Sequence, residues 1–392
     1  MVSLQYKGRI YKAKFSLRSV RYILSDQAAR AVPALQRRWL LPLESRPIEE
    51  AAVEDLAIPT AKIAVPLPEC LAKLGVSLPQ PLQGVQHFYG LRDTVVTGWA
   101  GAMMKDDFLL ALHPGPNWTA LVRARPHRLR ILPGDRPYYN LMAPIPARGH
   151  IVHWLFESIV PLLTYLESGG RDLGLGLIVN AEPSGFQRIT IDYLKAKYGI
   201  DTLVPLGASD AVQVPNLRAA VPVPYNPLAL RPPIGMAMLE DLGRFIAGDT
   251  PEEGFPKRIY ISRNDARLRR VRNEDSILSI LEARGFQRVI LKGMPMARQA
   301  QYFRQAEAVV APHGAGLAHT AWSKPGTKVI EFFPGLGGPR VVKNAGTGIW
   351  LIAMQRALDY SCYLAGPPES RDDTFTVPED LLIHALEAAS IK

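Results

Sequence analysis

From residue 257 onward the apolar positions fall into short unbroken runs, 258–262 (RIYIS), 288–291 (RVIL), 308–312 (AVVAP) and 328–333 (KVIEFF). Between them, over 273–284 and 297–306, apolar residues recur at helical spacing. Strands buried on both faces read as such continuous runs, and amphipathic helices cover the sheet they form. The pattern predicts a doubly wound parallel sheet. A similar alternation occurs earlier, with a helix over 150–166, a strand over 173–180, a helix over 186–198 and a strand over 202–206. Ahead of it, residues 86–113 alternate in short runs broken by Gly90, Gly98 and Gly101, which predicts an antiparallel meander.

The intervening chain is less periodic. Residues 215–233 hold six prolines and predict an irregular crossing, followed by an amphipathic helix over 234–247 and a polar linker over 248–256. A helix is predicted over 26–40, and the proline-rich stretch 59–81 reads as an extension wrapped on the body. The class is therefore α/β, with two Rossmann-like lobes and an N-terminal extension. The division expected is 1–84 for the extension, 85–248 and 249–365 for the lobes, and 366–392 for a tail and helix.

Composition narrows the reading. At 392 residues the chain exceeds what one core usually supports, and 47% apolar with 21% charged residues is ordinary for a folded protein. No run of about 18 apolar residues occurs and the first residues lack a signal-peptide core, so a cytoplasmic protein is expected. Cys70 and Cys362 lie too far apart in sequence to suggest a disulfide framework and are read as free thiols. The net charge of +10 favours acidic partners. Lys7, Arg9, Lys12, Lys14, Arg18 and Arg21 would suit peripheral contact with an anionic membrane at its inner face, although plain solvation is the favoured account of them. Nucleic acid is not expected as a partner, since charge alone points to it and neither interleaved exposed aromatics nor a nucleic-acid fold motif accompanies the charges.

Candidate chemistry gathers at two places. In the second lobe His313-Gly314-Ala315-Gly316 joins a buried strand to a helix, where glycines let the backbone approach a ligand and unpaired first-turn amides attract a diphosphate. Alone, such a turn is as readily a tight turn with no ligand. Ser262 and Arg263 end a neighbouring strand, and Arg267, Arg269, Arg270 and Arg272 follow; guanidinium groups hold phosphate oxygens and stay charged. Glu331 ends a third strand and is expected to accept the hydroxyls of a ribose, with a structural role as the plainer account. In the first lobe His153 and Glu157 share a helix face, as a base with its partner or as a satisfied core pair. Pro161 removes the N–H that would bond the Glu157 carbonyl, so a kink is expected there. No Asp-x-Asp occurs, and no metal site is expected.

In order and spacing these residues resemble glycosyltransferase family 61. The resemblance runs over about residues 85–340. It is carried by His153-Trp154-Leu155-x-Glu157 with Pro161, by Tyr260-Ile261-Ser262-Arg263, by Arg269-Arg270 and Asn273-Glu274, and by Gly285-Phe286, Gln299 and Ala306. His313-Gly314-Ala315-Gly316-Leu317 and Pro325-Gly326-Thr327 leading to Val329-Ile330-Glu331 complete it. It implies the GT-B arrangement of two lobes, inversion at the anomeric carbon, no metal and no cofactor beyond a nucleotide diphosphate sugar as co-substrate. It implies Glu157 as base with His153 assisting, and Ser262, Arg263, Arg270, Gln299, His313, Gly314, Ala315, Gly316 and Glu331 around the donor. The acceptor would be a polysaccharide or lipid-linked glycan of a bacterial surface. His150 and Ala318-His319 depart from the family pattern, which has Asn at the first and Thr-Asn at the second. A binding module without catalysis is the alternative that intact His153 and Glu157 weigh against.

Overall fold

The computed structural model describes residues 2–6, 9–13, 45–76, 78, 81–98, 101–105, 108–111, 129–142, 151–169, 174–207, 210–221, 230–335, 346–369 and 372–392. The helix expected over 26–40, His150, and Lys7, Lys14, Arg18 and Arg21 of the basic N-terminus lie outside the described residues. A hairpin of β1 (Val2–Tyr6) and β2 (Arg9–Ala13) opens the chain.

The first large sheet has ten strands. These are β3 (Ser45–Pro47), β4 (Ala52–Pro59), β5 (Val85–Thr97), β6 (Met103–Lys105), β7 (Phe108–Ala111), β8 (Leu129–Ile131), β9 (Tyr138–Asn140), β10 (Gly176–Asn180), β11 (Leu203–Leu206) and β12 (Ala211–Val221). The expected meander is present as antiparallel β5, β6 and β7, and the strands of the expected α/β run as parallel β10 and β11, joined in parallel by β9, which the sequence pattern did not predict. They share one mixed sheet because β12 pairs antiparallel with β5 on one side and parallel with β9 on the other.

Strand β12 corrects the expected irregular crossing, since Pro215 sits inside it. The ladder to β5 pairs Val214 with Thr94 and Asn216 with Arg92, passing over Pro215. On the other edge the partner changes from β8 at Gln213 to β9 at Leu217. Pro215 falls where neither ladder needs an N–H, and such gaps are where a strand tolerates proline.

The second sheet is the expected parallel one. Its strands β13 (Arg258–Ile261), β14 (Phe286–Val289), β15 (Ala308–Pro312), β16 (Lys328–Phe333) and β17 (Asp359–Leu364) lie in the order β14-β13-β15-β16-β17, all parallel. The chain leaves β13 to one side and returns to β15 on the other. In open α/β sheets ligands bind outside the carboxyl ends of the strands where the order reverses in this way.

Helices Val160–Glu167, Pro233–Ala247 and Met296–Gln305 pack in succession, and a 3-10 helix, Ala315–Trp322, packs on the last two. Leu162, Leu239, Phe303, Trp322 and Trp350 belong to one continuous buried core. Packing therefore fixes the two chemistry-bearing segments relative to each other. The short helix Glu69–Lys73 packs on β17, and the Cys70 thiol hydrogen-bonds with Cys362; both are free thiols. Among the described residues no helix is long and apolar enough to cross a membrane.

Candidate functional site

The carboxyl ends of β13 and β15 meet at the point of strand reversal. Just past β13, Ser262 donates its hydroxyl to Glu274 at 2.7 Å, and Tyr260 donates to the same carboxylate oxygen at 3.0 Å. Asn264 and Arg288 serve the other oxygen of this buried acid. Ser262 is thus tied down beneath the site, and its neighbour Arg263 is held at a fixed exit angle.

The Arg263 guanidinium donates from Nε and Nη2 to Leu268 O at 3.3 and 3.0 Å. Its Nη1 faces Gly314 of the turn after β15. Burial pushes Arg263 down to about 10, and Arg269, a like charge, lowers it further, with Asp265 opposing. The group remains a cation at neutral pH whose strongest charged neighbour repels it. A cleft of about 150 Å³ opens here, lined by Ser262, Arg263, Asp265, Pro312, Gly314 and Gly316 among others.

Gly314 is extended, with φ 178°, so its backbone makes no special demand for glycine. Space does: a Cβ there would lie 1.9 Å from Arg263 Nη1 and 2.8 Å from Cζ. The 3-10 helix Ala315–Trp322 begins at once, and its first bond runs from Leu317 N to Gly314 O at 3.1 Å. The amides of Ala315 and Gly316 precede that bond and have no carbonyl within the helix, which leaves an anion the partner they suit.

His319, on the same 3-10 helix, donates from Nδ1 to Gly316 O at 2.9 Å while its ring stacks on Phe303. Burial pushes it down to about 4 from an ordinary 6.5. Between those values the unfolded chain binds more protons than the folded protein. Stability is therefore intact above pH 6.5 and falls as pH drops toward 4, by up to about 3 kcal/mol. Melting temperatures measured across that range should show the loss, and His319→Asn, which keeps a donor for Gly316 O, should flatten it.

The His153–Glu157 motif lies on one continuous helical stretch: an α turn Ile151–His153, a π-helical segment Trp154–Ile159, and an α-helix Val160–Glu167. Such π turns occur mostly singly and often at functional sites. Trp154, Leu155, Phe156 and Ile159 are buried, and Trp154 Nε1 donates to Thr190 Oγ1 at 2.7 Å. His153 Nδ1 and Glu157 Oε1 are 2.8 Å apart, with side chains 19% and 7% exposed. Glu157 Oε2 is buried without a hydrogen-bond partner. Residues Ile151–His153 pack on the 3-10 helix Ala315–Trp322, so the acid–histidine pair stands beside the helix that starts at the glycine turn.

Residues 151–330 match the family model for Glycosyltransferase 61. No curated protein matches the chain. The matched segment begins with the α turn that leads to Glu157 and runs through the glycine turn into β16, so it contains both halves of the site. A transferase that moves sugars is the activity this match supports.

Not every residue expected around a donor reaches the cleft. Glu331 is 0% exposed, with Oε1 2.5 Å from His313 Nδ1 and Oε2 accepting from Tyr360 OH at 2.7 Å. Both oxygens are spent inside the protein, so the structure brings Glu331 under His313 and not to a ribose. His313 is buried between this carboxylate and the face of Phe333, and burial lowers its pKa. Arg270 is 48% exposed and pairs with Asp372 at 3.1 Å. It belongs to a ladder in which Val271 pairs with Phe375 and Arg272 with Glu369, and it does not line the cleft. Gln299 donates from Nε2 to Leu291 O at 3.1 Å and to Met294 O at 2.8 Å. It shapes the loop whose Leu291 walls the cleft, and does so from behind.

One residue was missed. Arg231, 1% exposed, donates from Nε to Phe156 O at 2.6 Å. Burial pushes it down to about 10, and the Glu157 carboxylate nearby opposes that shift. Pro161 signalled a carbonyl freed from the helix; the structure moves the freed group from Glu157 to Phe156 because the turn is π and not α.

Proposed function

We propose that the protein is an inverting glycosyltransferase of GT-B arrangement. It moves a sugar from a nucleotide diphosphate sugar to a polysaccharide or lipid-linked glycan acceptor in the synthesis of a bacterial surface polysaccharide such as capsule. The observation that carries this reading is the seating of the Arg263 cation on the Gly314 backbone at the reversal point of a parallel sheet, within the segment that matches family 61. Glu157 removes the proton of the acceptor hydroxyl, whose oxygen bonds to the anomeric carbon from the face opposite the diphosphate. As that bond forms, the bond to the diphosphate breaks. Arg263 and the amides of Ala315 and Gly316 stabilise the departing charge, the role that preorganised donors fill best. With that charge supplied by the chain, the transfer is metal-independent. Glu331 fixes His313, which the β15 end sets beside the turn.

A thermal-shift panel of uridine, guanosine, cytidine and thymidine diphosphates and their sugars tests this. A true donor at a hundredfold excess over its Kd raises stability by about 2.7 kcal/mol, several degrees in Tm. Arg263→Met keeps the bulk and removes the cation, so the same nucleotide should bind roughly 10- to 100-fold more weakly. Equal binding by wild type and variant defeats the assignment. Saturable binding with no sugar transfer or hydrolysis would return the protein to the class of binding modules.

A further inference from the structure

The turn that presents Glu157 is held open by a residue outside its helix. Val160 N–H bonds to Leu155 O, five residues back, which sets a π register. In that register the Phe156 carbonyl falls to the N–H of position 161, where proline has none. An α register would orphan the Glu157 carbonyl instead and press the proline ring against it. Neither register satisfies the turn by itself, and the choice falls to whatever supplies a donor.

That donor is Arg231. Besides the bond to Phe156 O, Nη1 donates to Leu230 O at 2.8 Å. Its backbone is fixed on both sides: the N–H donates to Gln355 Oε1 at 3.0 Å, and the carbonyl accepts from Ala61 N–H at 3.1 Å. An arginine buried to this depth is costly unless its donors and its charge are met, and here two carbonyls and the nearby Glu157 carboxylate meet them. We propose that Arg231 is a positioning residue of the transfer reaction, selecting the π register over the α register by capping Phe156 O. The choice of register sets the aim of Glu157, because shifting a helix by one residue turns the side chains on either side of the shift relative to each other by roughly 100°. The inference rests on Glu157 being the base.

A double-mutant cycle on the full chain decides it. Arg231→Met should lower Tm. Adding Pro161→Ala to that variant should recover part of the loss, since the turn can then close to the α register, in which Val160 N–H takes Phe156 O and the new N–H at 161 takes Glu157 O. The double variant should bind the nucleoside diphosphate identified in the panel as wild type does. Its kcat should fall at least about 100-fold, as misplacing a catalytic group by an ångström does, with the donor KM unchanged. Recovery of Tm without loss of kcat overturns the positioning role, and absence of recovery overturns the capping. If wild type transfers no sugar from any donor, the transfer reading fails, whereas the Tm cycle still shows whether Arg231 selects the register.

Discussion

Glu157→Gln is expected to lower kcat by about 10²–10⁴-fold, the range over which a positioned base contributes, while nucleoside diphosphate binding is unchanged. Glutamine keeps the shape of the side chain and an oxygen for the bond from His153 Nδ1, now 2.8 Å from Glu157 Oε1. It removes the negative charge and with it the capacity to take a proton. Binding should survive because the contacts proposed for the donor are at Arg263 and the glycine turn, in other segments of the chain. A Tm somewhat below wild type is expected as well, since the charge opposing the desolvation of Arg231 is gone. Steady-state transfer with the best donor of the panel, beside binding of the diphosphate alone, gives both numbers. A kcat equal to wild type removes Glu157 from the chemistry. A smaller loss than His153→Ala produces would move the role of base to His153.

Much of the second sheet was legible because its strands are buried on both faces. Runs such as AVVAP and KVIEFF announce themselves without reference to partners, and they appear as β15 and β16 within a residue of the expected bounds. The loop ends that carry Arg263 and Gly314 followed from those strands. Strand β12 was hidden for the opposite reason: whether Pro215 breaks a strand depends on which neighbours need its N–H, and the neighbours at β5, β8 and β9 come from other parts of the chain.

The same limit explains the site residues. Glu331 at the end of a strand looks available until Tyr360, on a strand the apolar pattern did not predict, closes on its second oxygen. Arg270 looks like part of a phosphate cluster until the segment around Asp372 pairs with it. Arg231 carries no local signal at all, because what it caps is an absence created by Pro161 in a distant helix. Residues whose roles depend on their own element were readable, and residues defined by a remote partner were not.

Gly314→Ala separates the ligand-binding reading of the turn from a merely tight turn. The added methyl would fall 1.9 Å from Arg263 Nη1, and Arg263 is already anchored by two bonds to Leu268 O. Backbone and guanidinium cannot both stay. Overpacking of this kind typically costs about 1–3 kcal/mol of stability, and the cation that yields is the one proposed to hold the diphosphate. Affinity for the nucleoside diphosphate should therefore drop by about 10- to 100-fold, matching the loss of one charge-assisted contact. Gly316→Ala provides the contrast, since its methyl meets the end of the flexible Leu291 side chain at 2.9 Å and can push it aside. It should bind nearly as wild type does. Placing Gly314→Ala on an Arg263→Ala background should restore stability, as the clash then has no second party, without restoring affinity. If Gly314→Ala alone binds the diphosphate with wild-type affinity, the turn is not the anion site, and the contact between Arg263 and Gly314 serves packing only.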